Sequence, residues 1–396
     1  MQISIKKINL FIIWIFPLIS YQFFQFNMIE KNIVIVFSVL FYIFIILYCL
    51  KYILSSYKET LFTKYKYLFL WILVGGLLCP LLFWGQSIFL SFRISIEIYS
   101  YIFFFLLIKA AISEKQILKV IDFYFILYFA LQIAYISFNL YEYFGYNEGI
   151  IPDETRGLLR PRIPGLEFGT LSFFLHLNNY LQHKKFKDLL FVILAITSIF
   201  LSLTRQVILF STIVGLLFIL RSSKYKIIIT IAIGLFMFFV PNLLINSKLP
   251  IIKDMIELSQ SQIESNNNGN KDIRLVETEY FLFNFNESVP QIIFGNGQPH
   301  GYSNYGKKII KLSENEELYT NDVGYVQLFI GFGIIGIFLF FLFFYKIFKY
   351  KVNSNYIWCK YFILNLLLLN IASQSLFTSG VSISIVTYLM IINRSK

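Results

Sequence analysis

The sequence predicts an all-α polytopic membrane protein of about twelve transmembrane helices, with a large extracytoplasmic loop that holds short helices. Composition is the first ground. Of 396 residues, 57% are hydrophobic and 14% charged, and the mean hydropathy is +0.68, far too little charge for a water-soluble domain of this size. The second ground is length: apolar runs of about 20 residues, enough to cross a bilayer, recur along the chain. The third is the placement of the basic residues, which collect in alternate short connections.

The apolar runs lie near 8–26, 32–54, 67–89, 94–112, 117–140, 167–182, 188–204, 206–220, 226–245, 323–345, 357–373 and 377–392. The first follows Lys6 and Lys7 like a signal sequence. It lacks a small-residue cleavage site and more spans come after it, so it reads as a retained helix. The whole chain, 1–396, is expected to be a single integral membrane domain.

Assigning connections alternately places twenty-one basic residues on one side, from Lys6 and Lys7 to Arg394 and Lys396. That side is the cytoplasmic one by the positive-inside rule, with both termini on it. The net charge of +12 thus reflects topology, and no nucleic-acid partner is expected. Two long loops fall outside: 141–166, and 246–322 with seven Lys/Arg against eleven Asp/Glu. The flanks of the second, KDMIELSQSQIE and RLVETEYFLFNF, have helical spacing around the polar tract SQSQIESNNNGNKD. No repeat at a fixed period is visible, which leaves an inverted-repeat transporter unsupported. Cys49, Cys79 and Cys359 sit in or beside apolar runs with no close pair, as buried thiols do. No Asp-x-Asp pair occurs on the outer side and no His/Cys/carboxylate cluster has metal-ligand spacing, so neither a metal nor another cofactor is expected.

The chain has 26 lysines and eight arginines, and six of the eight arginines fall on the outer side: Arg93, Arg156, Arg160, Arg162, Arg205 and Arg274. The topology rule alone would put them inside. Guanidinium suits planar, bidentate binding of phosphate or carboxylate, so an anionic ligand at the outer membrane face is expected. Arg156 and Arg160 read best as partners of the loop acids Glu148, Asp153 and Glu154. Arg93 suits an interfacial, snorkelling position. Arg205, in LSLTRQVILF between two short apolar runs, stands where an unpaired charge is costly and usually functional. Arg162 opens RIPGLEFGT, where a ligand role and simple loop pairing weigh equally. A last landmark is the polar loop with His300 that runs into Asn321-Asp322 and then an apolar helix.

Four blocks carry a resemblance. RPRIPGLEFGTLSFF, LSLTRQVILFSTIVGLL, RLVETEYFLFNFNESVPQIIFGNGQ and NDVGYVQLFIGFGIIG resemble, in order and spacing, motifs of the bacterial O-antigen polymerases. More broadly they resemble the O-antigen polymerase and ligase superfamily of polytopic, GT-C-like membrane glycosyltransferases. In the lipopolysaccharide ligases of this superfamily a His followed by Asn, Ser or Gln takes the position of Asp322, eleven residues before Gly333. Asp322 there resembles the polymerase branch.

The resemblance implies an enzyme of the bacterial cytoplasmic (inner) membrane, working on its periplasmic face in surface polysaccharide, lipopolysaccharide or capsule synthesis. It would move an oligosaccharide from undecaprenyl diphosphate to the sugar hydroxyl of another lipid-linked repeat unit, with a chain-length regulator as a possible partner. Such a reaction needs fixed cations for the diphosphate leaving group and a proton acceptor for the attacking hydroxyl. Arg205 and Arg274, with Arg162 as a third contact, are the expected diphosphate ligands. Asp322 is the expected base or acceptor-positioning residue, with Glu167 and His300 as rivals. An N-cap role for Asp322 stands beside that reading, since Asp before an apolar helix satisfies free N–H groups. Tyr302, Tyr305, Tyr319 and Tyr325 crowd the motif loop and suit stacking on sugar rings. Gly331, Gly333 and Gly336 lie inside an expected span and read as close helix packing. A ligase, and a flippase of lipid-linked oligosaccharides, are the alternatives; the 77-residue outer loop has no transport role.

Overall fold

The computed structural model describes residues 5–55, 59–138, 140–144, 163–222 and 272–395. Among these the chain is helical and forms no strand; only two isolated bridges occur, Phe26 with Phe144 and Val352 with Arg394. The helices are α1 (Ile5–Ser20), α2 (Lys31–Leu54), α3 (Thr60–Trp84), α4 (Ile88–Ile94), α5 (Ile96–Ala110), α6 (Glu114–Ser137) and α7 (Leu166–His183). They continue with α8 (Phe186–Leu201), α9 (Arg205–Ser222), α10 (Ile273–Phe283), α11 (Val289–Phe294), α12 (Asn304–Asn315), α13 (Gly324–Lys349), α14 (Trp358–Leu369) and α15 (Gly380–Ile392).

This is an all-α multi-pass membrane protein. Among the described residues five helices are long and apolar enough to cross a bilayer: Lys7–Gln25, Lys31–Leu54, Thr60–Trp84, Glu114–Ser137 and Gly324–Lys349. The pair α4 and α5, bent by 69°, makes a sixth when counted as one span. The expected spans near 167–182, 188–204, 206–220, 357–373 and 377–392 form the shorter helices α7, α8, α9, α14 and α15. The expected span 226–245 lies outside the described residues, as does loop 141–166 apart from its ends.

The innermost element is α15, buried without interruption from Gly380 to Met390. A helix apolar all round belongs inside a bundle. Its hydroxyls stay satisfied by the turn before: Ser384 donates to the Gly380 carbonyl (2.6 Å) and Thr387 to that of Ile383 (2.7 Å). Around it α5 contributes the buried run Phe103–Leu107, and Tyr65 of α3 packs on Phe104 at 4.2 Å. One polar clamp ties three helices together. The buried His176 of α7 faces Asp188 of α8 through Nδ1 (2.8 Å) and Asp122 of α6 through Nε2 (3.0 Å).

The second half of loop 246–322 is a small helical cap, with α10, α11 and α12 packed around Phe281, Phe285, Tyr305 and Leu312 in a cluster that also takes in Val326 and Ile330 of α13. RLVETEYFLF is helical as its spacing predicts, whereas KDMIELSQSQIE lies outside the described residues. Side chains of α3 and α13 pack against the cap, and main-chain hydrogen bonds join it to α13 at one place. Within α13 the chain breaks at Gly333 (φ +65°), and the turn after α11 lies against that break. There Asn296 N–H donates to the Ile330 carbonyl (2.7 Å) and Gly297 N–H to that of Gly331 (2.8 Å). A Cβ on Gly333 would meet the Ile293 carbonyl at 2.3 Å, and one on Gly295 the Gly333 nitrogen at 2.5 Å. The expectation of close glycine packing inside this span is met: Gly333 lies against the end of α11 and the turn after it, and Gly336 against Trp71 of α3.

Gly333→Ala should therefore cost more than the roughly 1–3 kcal/mol of a strained backbone alone, because overlap adds to it. Gly85→Ala is the control: φ is also positive (+63°) but nothing lies within 4 Å of the added Cβ. Fluorescence-monitored melting of the detergent-solubilised protein should show a large fall for the first variant and a small one for the second.

Candidate functional site

Loop 295–303 is positioned from the end of α3. Gly85 closes that helix in the left-handed conformation, and the next residue, Gln86, is buried against the loop. Its amide nitrogen donates to the Gln298 carbonyl (3.0 Å) and to Ser91 (3.0 Å). Its oxygen accepts from the His300 N–H (3.0 Å) and lies 2.7 Å from the Ser303 hydroxyl. Ser303 also caps α12 by accepting from the Gly306 N–H (3.0 Å). Beside this, the Trp84 indole donates to Asn296 (2.8 Å) and stacks on Tyr305 at 4.8 Å.

Next to the loop opens a cavity of about 510 Å³, a common size for a ligand site. Gln22, Lys31, Arg93, Glu97, Gln298, His300, Asn321, Gln327 and Gln374 supply much of its polar lining. Arg93 and Glu97 reach it from either side of the bend at Ser95, and broken helices of this kind build polar sites within membranes. Gln22 begins a left-handed turn, Gln22–Gln25, whose φ values of 50–58° are strained for residues with side chains. A second cavity of about 190 Å³ shares Gln22 and Glu97 with the first and reaches Glu167. A third, of about 210 Å³, shares Glu167 and Thr378 with the second and Gln374 with the first, and reaches Thr204. Glu97, Glu167 and Gln374 thus form the walls between adjoining chambers.

The expected site residues divide among these surroundings. Arg205 begins α9, next to the Thr204 that lines the third chamber. Asp272 caps α10 by accepting from the Arg274 N–H (2.9 Å), which places Arg274 at that helix start. Arg274 reaches the start of α9 at Gln206, the residue after Arg205: with the Gln206 amide oriented to satisfy its hydrogen bonds, its oxygen accepts from Arg274 Nη2 (3.2 Å) and its nitrogen donates to the Ala372 carbonyl (2.8 Å). Glu167 lies in the first turn of α7 and accepts from the Tyr21 hydroxyl (2.6 Å). Arg162 lies outside the described residues.

His300 is buried and lines the large cavity. Burial first, and then the nearby Arg93 charge, lower its pKa, so it is neutral at pH 7. Its Nδ1 accepts from the Tyr302 N–H (3.3 Å), which puts the remaining proton on Nε2 and makes that atom a donor. Asp322 is exposed in the turn Thr320–Asp322 and lines none of the three chambers, although Thr320 and Asn321 line the largest. It is not an N-cap: Val323 holds that position, and no side chain caps α13. Of the four tyrosines, only Tyr305 lines the cavity, and its ring is already stacked on Trp84.

Sequence reasoning missed Gln86, Glu277 and the polar turn between α14 and α15. The signals were present: a Gln directly after a helix-ending Gly, a Glu three residues after Arg274 on one helix face, and ASQS between two apolar runs. Glu277 is fully buried; one oxygen accepts from the Tyr319 N–H (2.9 Å) and the other has no partner among the described residues. Burial raises its pKa above the ordinary 4.5, and the Asp322 and Asp272 charges add to the rise. The Tyr319 hydrogen bond and the Arg274 charge oppose it.

A carboxyl whose pKa is raised by folding binds more protons folded than unfolded, so stability falls as pH climbs from about 4.5 through the raised value. Glu277→Gln should remove that slope: its melting temperature stays level over the window in which the parent's declines. Gln86→Leu should leave the His300 N–H and the Gln298 carbonyl without their partner, at about 1–3 kcal/mol each where they stay buried. Proteolysis within 298–303 should speed up accordingly.

Comparison with known proteins adds one match. Residues 190–341 fit the family model described as O-antigen ligase, a stretch that holds Arg205, Arg274, His300 and Asp322. Curated proteins yield no match. The matched stretch runs from α8 through the cap and past the glycine break of α13, and over it the chain is similar to that family, consistent with the O-antigen polymerase and ligase superfamily.

Proposed function

We propose that the chain is a surface-polysaccharide polymerase of the bacterial cytoplasmic membrane. It transfers an oligosaccharide from undecaprenyl diphosphate to the non-reducing-end sugar of another lipid-linked repeat unit. Both termini are cytoplasmic, loops 141–166 and 246–322 are extracytoplasmic, and the reaction runs on that outer face within one membrane domain. What supports this reading best is the contact of Arg274 Nη2 with Gln206, which brings a guanidinium group from the cap to the start of α9, where Arg205 is the preceding residue. Two such forks suit the growing charge of a diphosphate leaving group, with Arg162 as a third contact and no metal required.

In this reading His300 donates a hydrogen bond from Nε2 to a sugar hydroxyl, and Glu167 orients substrate beside the arginines. Asp322 acts at the rim, where it completes the acceptor entrance. A chain-length regulator would dock on the same outer face. The ligase reading shares the chemistry and differs in acceptor; the description of the matching family favours it.

Replacing Arg205 or Arg274 singly with Ala in the native host should abolish long chains at normal protein level, with transfer falling about 10²–10³-fold. Arg274→Lys should recover part of the activity only, because the charge returns without the fork. Polymer length is read on a gel. Long chains in both Ala variants would exclude this site, while polymer retained on its carrier but unattached would favour the ligase.

A further inference from the structure

We propose that the 510 Å³ cavity beside loop 298–303 is the acceptor-saccharide site, and that Glu97 takes the proton from the attacking hydroxyl. This rests on the transferase reading above and deepens it.

The cavity wall matches a saccharide. Gln298, Asn321, Gln327 and Gln374 offer amide donors and acceptors, while Ile96 and Ile330 give apolar surface for the C–H faces of a sugar ring. Gln327 donates to both Asn321 (3.3 Å) and Gln374 (3.2 Å), which holds these three amides in one array.

Among the described residues Glu97 is the one carboxylate lining this cavity. The 69° bend after Ile94 turns it onto the wall shared with the second chamber. From there the crevice passes Glu167 and reaches Thr204, the residue before Arg205. An acceptor in the large cavity therefore meets a donor held near the arginines at Glu97. The rivals are less suited: Asp322 lines no chamber, His300 carries its proton on Nε2, and Glu167 already accepts from Tyr21.

The step balances. As the acceptor oxygen bonds to the anomeric carbon of the donor, the bond from that carbon to the diphosphate oxygen breaks and its electron pair leaves with the lipid diphosphate. The hydroxyl proton passes to the Glu97 carboxylate and then to water.

The test uses the full chain in proteoliposomes, supplied with lipid-linked repeat units extracted from a host lacking it. The acceptor is the oligosaccharide released from those units by mild acid. Glu97→Gln should lower transfer about 10²–10⁴-fold, as expected for loss of a general base, with melting and retention of labelled undecaprenyl diphosphate unchanged. Wild-type transfer by Glu97→Gln, with Arg274→Ala inactive, would overturn the assignment and leave the transferase reading intact. Wild-type transfer by both would remove that reading and this inference with it. Should Glu97→Gln fail to accumulate, Asn321→Trp at the exposed rim decides. A raised KM for the released oligosaccharide with diphosphate retention unchanged supports the site, and an unchanged KM overturns it.

Discussion

The contact on which the rest depends is backbone against backbone: the turn Gly295–Gly297 pressed into the break of α13 at Gly333. A regular helix offers no free carbonyl to a neighbour, since each is taken by an N–H four residues on. Breaking α13 at a glycine releases Ile330 and Gly331, and the turn supplies the donors they lack. This junction sets where the loop emerges, and so where His300, Gln298 and the large cavity stand relative to the bent pair α4 and α5. Gln86 then fixes the loop's path over the bundle.

Several buried polar groups in this molecule have their desolvation offset. Away from the crevice, His176 is held between two aspartates and the hydroxyls of α15 are absorbed by their own helix. At the crevice the pattern changes. Glu97 and Arg93 flank a helix bend without pairing to each other, and Gln22 belongs to a strained turn. Unpaired charges and a strained turn gathered around one cavity suit a place where a ligand completes the hydrogen bonding.

Much of this was legible in the residues. Hydropathy and basic residues disclose the membrane class because bilayer length and charge cost act on single segments. The scarcity of arginine singled out Arg205 and Arg274, and Arg274 contacts Gln206, the chain neighbour of Arg205. The division of the apolar runs into five long helices, a bent pair and shorter helices was not legible, because hydropathy does not record the burial that lets α15 fall short of a full span. Nor was the position of Asp322: the one-residue shift that gives the cap to Val323 comes from the preceding turn. Gln86 and Glu277 acquire meaning only from partners hundreds or tens of residues away, on surfaces no local pattern encodes.

The junction at Gly333 has one more consequence. Residues 298–329 leave and re-enter the bundle at positions stitched together by two main-chain hydrogen bonds, so this stretch is closed at its base whatever side chains it carries. For a loop so closed, changing length shifts the closure entropy only logarithmically. The stretch is in effect an interchangeable cassette. Its side chains, several of which line the 510 Å³ cavity beside it, can diverge while the stem stays as it is.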